Sequence, residues 1–140
     1  MFEENNAQKR LVLLAKTVFP FDFILGLCLI FFAGMVQDIL NIGHLKEPAF
    51  IRMAGVFTVF LGYLYFLAYR NPDKNYILFQ VTLVLRGLLT ISHFSEAWFL
   101  LEGSASTAHS LFYGMSFLDL IVCSAQIYFI RKMKRRWFLI

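Results

Sequence analysis

Four apolar runs, at 18–40, 49–69, 76–99 and 108–130, constrain this chain more than any other feature of it. An α-helix rises about 1.5 Å per residue, so about 20 residues cross a hydrocarbon core of ~30 Å, and each run is long enough. Apolar residues make up 59% of the 140 positions and aromatic residues 18%, with a mean hydropathy of +0.66. A soluble domain of this length does not need so much for its core, and the excess is expected to face lipid. The expected fold is all-α: one transmembrane domain over 1–140, an integral membrane four-helix bundle with a basic tail at 131–140. The four runs nearly exhaust the chain, which leaves no room for a separate soluble catalytic domain.

The joints between runs carry their own signals. Asn41-Ile42-Gly43 is a helix stop, and Pro48 suits the opening of the second helix, where a missing N–H costs little. Residues 70–75, Arg-Asn-Pro-Asp-Lys-Asn, form a tight helical hairpin, while Gly103 followed by Ser104, Ser106 and Thr107 supplies a stop and then N-caps for the fourth helix. Orientation follows from the basic residues, because cytoplasmic loops carry the excess of Lys and Arg. Lys9, Arg10, Lys16, Arg70, Lys74, Arg131, Lys132, Lys134, Arg135 and Arg136 fall on one side, against Lys46 and Arg52 on the other. Both termini are therefore expected to be cytoplasmic. Glu3 and Glu4 spoil a positive signal-peptide start, so the first helix is expected to stay. The tail over 131–138 reads as a topology anchor lying against anionic lipid headgroups.

Several function classes drop out. The net charge of +4 comes from segment ends and the tail, which points to membrane lipids as partners and not to nucleic acid. Cys28 and Cys123 lie in separate apolar runs without a neighbouring cysteine, so they read as buried small hydrophobes rather than a redox pair. His44, His93 and His109 belong to separate segments, and no spacing holds two ligands on one helix face, so no metal is expected. No glycine loop or lipidation motif is present, and no cofactor is expected.

Ionisable residues at bilayer depth cost about 2.5 to 3.5 kcal/mol each on insertion scales, so they turn inward, find partners and often mark function. Arg86 lies ten residues into the third run and Asp119 eleven into the fourth, both roughly 15 Å deep. Sequential antiparallel helices are expected to be neighbours, so Arg86 and Asp119 are expected to form an ion pair at the midplane. Asp119→Asn should then destabilise the protein unless Arg86 is also neutralised. Arg86, His93 and Glu96 fall within about 80° on a helical wheel, forming one polar stripe. Ser116, Asp119, Cys123 and Gln126 form another, and Arg52, Gly55, Gly62 and Tyr69 a third, whose glycines admit a close neighbouring backbone. Arg52, His93 and Glu96 can form an outer cluster. Asp22 lies near the inner end of the first run, and deeper if that helix begins as early as Leu11.

Arg52-x-x-Gly55, Gly62-x-x-Tyr65 and Arg70-x-Pro72 resemble the small bacterial four-helix membrane proteins grouped as DoxX-like, over about a third of the chain. The resemblance implies a bacterial inner-membrane bundle, with links to quinone-related or thiol-related redox assemblies. It carries no catalytic residue onto this chain, and the cysteine pair of a thiol-redox role is missing.

Three functions remain in contention. The leading one is non-enzymatic: an accessory subunit with a membrane-protein partner or a homo-oligomer, or a binder of a small ligand or lipid, organised around Arg86 and Asp119 with Arg52 and Gln126 as further polar contributors. The second is a membrane-embedded enzyme for a lipophilic substrate, with His93 and Glu96 as acid and base. The third is a small transporter or proton pathway that works as an oligomer.

Overall fold

The computed structural model describes residues 2–39, 48–95 and 106–133, and among them every regular element is a helix. α1 covers Phe2–Phe31 and the short α2 Ala33–Ile39; α3 covers Ala49–Arg70, α4 Tyr76–Ser95 and α5 Ser106–Lys132. Four stretches among the described residues are long and apolar enough to cross a membrane: Glu4–Phe31, Ile51–Arg70, Tyr76–Ser95 and Ser110–Lys132. The first lies closer to the N-terminus than the 18–40 run expected from the sequence. Lys9, Arg10 and Lys16 look like flanking charges, but they sit on the exposed side of α1. Ala7, Leu11, Ala15 and Val18, three or four residues apart, form its buried face and carry the helix through them.

The chain bends at Phe32 without losing its ladder, since Phe32 N donates to Cys28 O and Val36 N to Phe32 O, both at 2.9 Å. The end of the expected first span is thus the separate α2, which packs through Ala33 against Ile51 of α3. Pro48 stands at the N-cap of α3. In the α3–α4 turn, Asn75 Nδ2 donates to Leu67 O at 2.8 Å, taking up a carbonyl near the end of α3. Asn41-Ile42-Gly43, Glu96, Gly103, Ser104 and the tail from 134 onward lie outside the described residues.

The long helices pack in a ring: α1 on α3, α3 on α4, α4 on α5, and α5 back on α1. α1 and α4 therefore face each other across a diagonal, as do α3 and α5. The tightest contact is α1 on α3, where a Cβ at Gly55 would lie 2.8 Å from Gly26 O and one at Gly62 would lie 3.1 Å from Phe23 N. The spacing of Gly55 and Gly62 admits the backbone of α1. One end of the ring is closed by Ala7, Leu11, Tyr65, Phe79, Ile130 and Met133, from all four long helices. Gln8 Nε2 also donates to Asp73 Oδ1 at 3.1 Å, so the start of α1, the α3–α4 turn and the end of α5 share that end.

Large apolar side chains cover much of the outside, and polar ones are buried alongside the apolar core. Phe21, Ile24, Phe57, Leu88, Ile91 and Phe117 are at least half exposed, while Asp22, Gln80, Thr82, Arg86, Ser116, Asp119 and Gln126 are buried. Apolar side chains outside and polar ones inside are consistent with an integral membrane protein. Cys123 is buried, but Cys28, also expected inside, is exposed on the outer side of α1. An apolar thiol fits a lipid-facing surface as well as a core.

Candidate functional site

Arg86 projects from α4 into the middle of the ring, where it is 5% exposed. Its Nη1 donates to Asp119 Oδ1 of α5, and its Nη2 donates to Asp22 Oδ2 of α1 across the diagonal. The longer α1 explains the second contact, because it carries Asp22 well inside, where it is 3% exposed. Arg86 Nε donates to Tyr65 Oη of α3 at 3.2 Å, and the guanidinium lies 5.4 Å from the Tyr65 ring centroid.

Tyr65 starts the other diagonal. Its hydroxyl donates to Gln126 Oε1 of α5 at 2.9 Å, and Gln126 Nε2 donates to Thr82 Oγ1 at 2.8 Å and to Phe79 O at 2.6 Å. Thr82 is fully buried and its hydroxyl donates to Phe79 O at 3.0 Å. Every long helix thus contributes to one connected polar network, and the two diagonals join at the Arg86–Tyr65 bond. Half-satisfied networks of this kind cost more than an apolar core, so the completeness of the bonding matters to stability.

His93 lies two turns beyond Arg86 on α4, with Nδ1 3.3 Å from Asp119 Oδ2. The two atoms are close enough to attract if the imidazole is protonated, yet they are not aligned for a hydrogen bond. Nδ1 has no other hydrogen-bond partner among the described residues, although the side chain is only 12% exposed. The ring also meets Phe112 edge-on, with centroids 6.0 Å apart. Of the expected outer cluster of Arg52, His93 and Glu96, two members are described. His93 turns toward Asp119, Arg52 is exposed on α3, and Glu96 lies outside the described residues.

Beside this network lies a cavity of about 430 Å³, lined by Asp22, Arg86, Asp119 and His93 and otherwise mostly by apolar side chains of all four long helices. Its walls include Val18, Leu25, Leu61, Leu89, Met115 and Val122, and they run out to Phe21 on α1 and Leu118 on α5. Those two are 59% and 55% exposed, so the cavity opens sideways between α1 and α5. Thr17 and Thr58 also line it, but their hydroxyls already donate to Leu13 O and Ala54 O of their own helices. The groups left to meet an occupant are the charged ones. Among the described residues no group of three His, Cys, Asp or Glu side chains is placed to hold a metal ion.

Tyr65 is the site residue that the sequence conceals, while Asp22 is visible in it with its depth left open by the uncertain start of α1. Tyr65 looks like one more aromatic in an aromatic-rich helix, and only its position on the same face as Gly62 and Ala68 hints at burial. Comparison of the chain with family models, curated proteins and solved structures gave no match.

Proposed function

We propose that this chain is an integral membrane four-helix bundle that binds a small lipophilic molecule drawn from the bilayer, with the occupant's polar end held at Asp22, Arg86, Asp119 and His93. The observation that carries this reading is the cavity: its volume of about 430 Å³ falls within the range of about 300–1,000 Å³ typical of ligand sites. Mostly apolar walls with a few converging polar groups suit a molecule with a hydrocarbon body and a polar head. A side opening between α1 and α5 suits entry from lipid. The ten-to-two distribution of basic residues supports cytoplasmic termini, the shared end of α1, the α3–α4 turn and α5 agrees with that arrangement, and a bacterial inner membrane follows only from the DoxX-like resemblance. Kinship with DoxX-like proteins belongs to the same reading and rests on the residues of α3 and the turn after it.

The binder acts without chemistry of its own, as a carrier or as an accessory subunit that presents its ligand to a membrane partner. A second reading is favoured by one observation: His93 Nδ1 stands 3.3 Å from Asp119 Oδ2 at the cavity wall, a histidine–carboxylate pair suited to moving a proton to or from an occupant. The test is native mass spectrometry of the protein purified in lipid nanodiscs, comparing wild type with Leu89→Trp, which fills the cavity without replacing a charged residue. A specific small molecule retained by wild type and lost in the variant, at unchanged melting temperature, is the expected result. Equal retention by both, or none by wild type, contradicts the proposal. Turnover of the retained molecule that His93→Gln abolishes would decide for the enzymatic reading.

A further inference from the structure

The charges around the cavity do not balance. Asp22 and Asp119 set two carboxylates against the single guanidinium of Arg86, all at least nine-tenths buried. A charge left uncompensated in a medium of low dielectric constant is strongly disfavoured, so the cluster calls for one more positive charge. The described residues lining the cavity include no second Lys or Arg to supply it. The Asp119 carboxylate also has an oxygen beyond the one that Arg86 Nη1 holds: Oδ2 lies 3.3 Å from His93 Nδ1, a buried nitrogen with no hydrogen-bond partner among the described residues.

From this geometry we infer that the occupant is a lipophilic amine, whose ammonium sits among Asp22, Asp119 and His93 while its hydrocarbon tail lies along Leu25, Leu89 and Val122. An ammonium donates three hydrogen bonds and accepts none, which matches a site where two carboxylates supply the acceptors. It also brings the cluster to neutrality, and its hydrogen bonds to carboxylate are of the stronger, charge-assisted kind. An anionic head would raise the excess charge to two, and a neutral head would leave it at one. The competing way to restore neutrality is a proton taken up by His93 or by one of the carboxyls, which needs no ligand charge.

This inference rests on the cavity being a ligand site, and the probes separate the two claims. Octylamine, octan-1-ol and octanoate share one tail, so at pH 7 their binding to the full chain in phosphatidylcholine nanodiscs, against empty discs as blank, isolates the head group. The expected result is octylamine binding at least tenfold tighter than octan-1-ol, with octanoate weakest. In Asp119→Asn or Asp22→Asn, whichever retains the wild-type fold, octylamine should fall to the level of octan-1-ol while octan-1-ol itself is unchanged. Equal binding of amine and alcohol by wild type overturns the inference and leaves the cavity as a ligand site balanced by a proton. Tighter binding of octanoate overturns it as well. No probe bound above the blank overturns both claims. The wild-type ranking decides the matter even if neither variant folds.

Discussion

Arg86 holds two carboxylates from two different helices, and this changes what single substitutions should do. With one carboxylate, Asp119→Asn would strand a buried guanidinium. With Asp22 also in contact, the variant keeps a neutral Arg86–Asp22 pair and sheds the cluster's excess negative charge, so its loss should be no more than about 1 kcal/mol, the worth of one hydrogen bond. Arg86→Met leaves two carboxylates facing each other and should cost about 3–5 kcal/mol, the range for breaking a buried pair. Melting temperatures in mild detergent check the order, and equal losses in the two variants would contradict it. Tyr65→Phe removes a hydroxyl that accepts from Arg86 Nε and donates to Gln126 Oε1, which should cost about 1–2 kcal/mol by the same measurement. Arg86 and Asp119 are legible in the sequence because charge inside an apolar run is rare and their depths agree. Asp22 is legible only in part, because three basic residues before it leave open where its helix starts and so how deep it lies. Tyr65 is not, because a phenol in an aromatic-rich run carries no signal of its partner.

At the level of the elements, α1 and α3 form the rigid side of the ring and α1 and α5 the open one. A Cβ at Gly26 would lie 2.7 Å from both Gly55 O and Val59 N, backbone atoms that cannot turn aside as a side chain can. Gly26→Ala and Gly55→Ala should therefore cost about 1–3 kcal/mol through overpacking. At Gly87 nothing lies within 4 Å of the added carbon, so Gly87→Ala should be neutral or slightly stabilising through helix propensity. Thermal unfolding of the three variants in one detergent tests the contrast, and a loss at Gly87 equal to that at Gly55 would contradict the packing. The spacing of Gly55 and Gly62 announces a close approach in the sequence, but not that α1 is the partner. The buried stripe Ser116, Asp119, Cys123 and Gln126 is equally legible, since polar residues at helical spacing in an apolar run have one face to occupy. The opening between α1 and α5 is not legible, because a gap between helices depends on how all four settle against one another.

The whole molecule is a ring with its polar network inside, its apolar surface outside and both ends of the described chain at the same end of the ring. With that end cytoplasmic, Asn5→Cys and Asp73→Cys, in a background with Cys28 and Cys123 replaced by serine, should react with a membrane-impermeant maleimide from the cytoplasmic side alone. Labelling of the two from opposite sides would contradict the arrangement. Composition and the four apolar runs make the helical architecture legible in the sequence, because so much exposed apolar surface has no other use. The cavity is a property of the assembled ring and has no counterpart in any one segment. It is also the centre of the functional account, and photo-crosslinking addresses it most directly. A straight-chain lipophile bearing a diazirine is irradiated in membranes containing the protein, and the labelled residues are mapped by tandem mass spectrometry. Labels concentrated on Leu89, Met115 and Val122 inside the cavity are the expected result. Labels spread evenly over Val56, Phe57 and Leu88 on the outer faces would contradict it, since they would show a probe that only surrounds the protein.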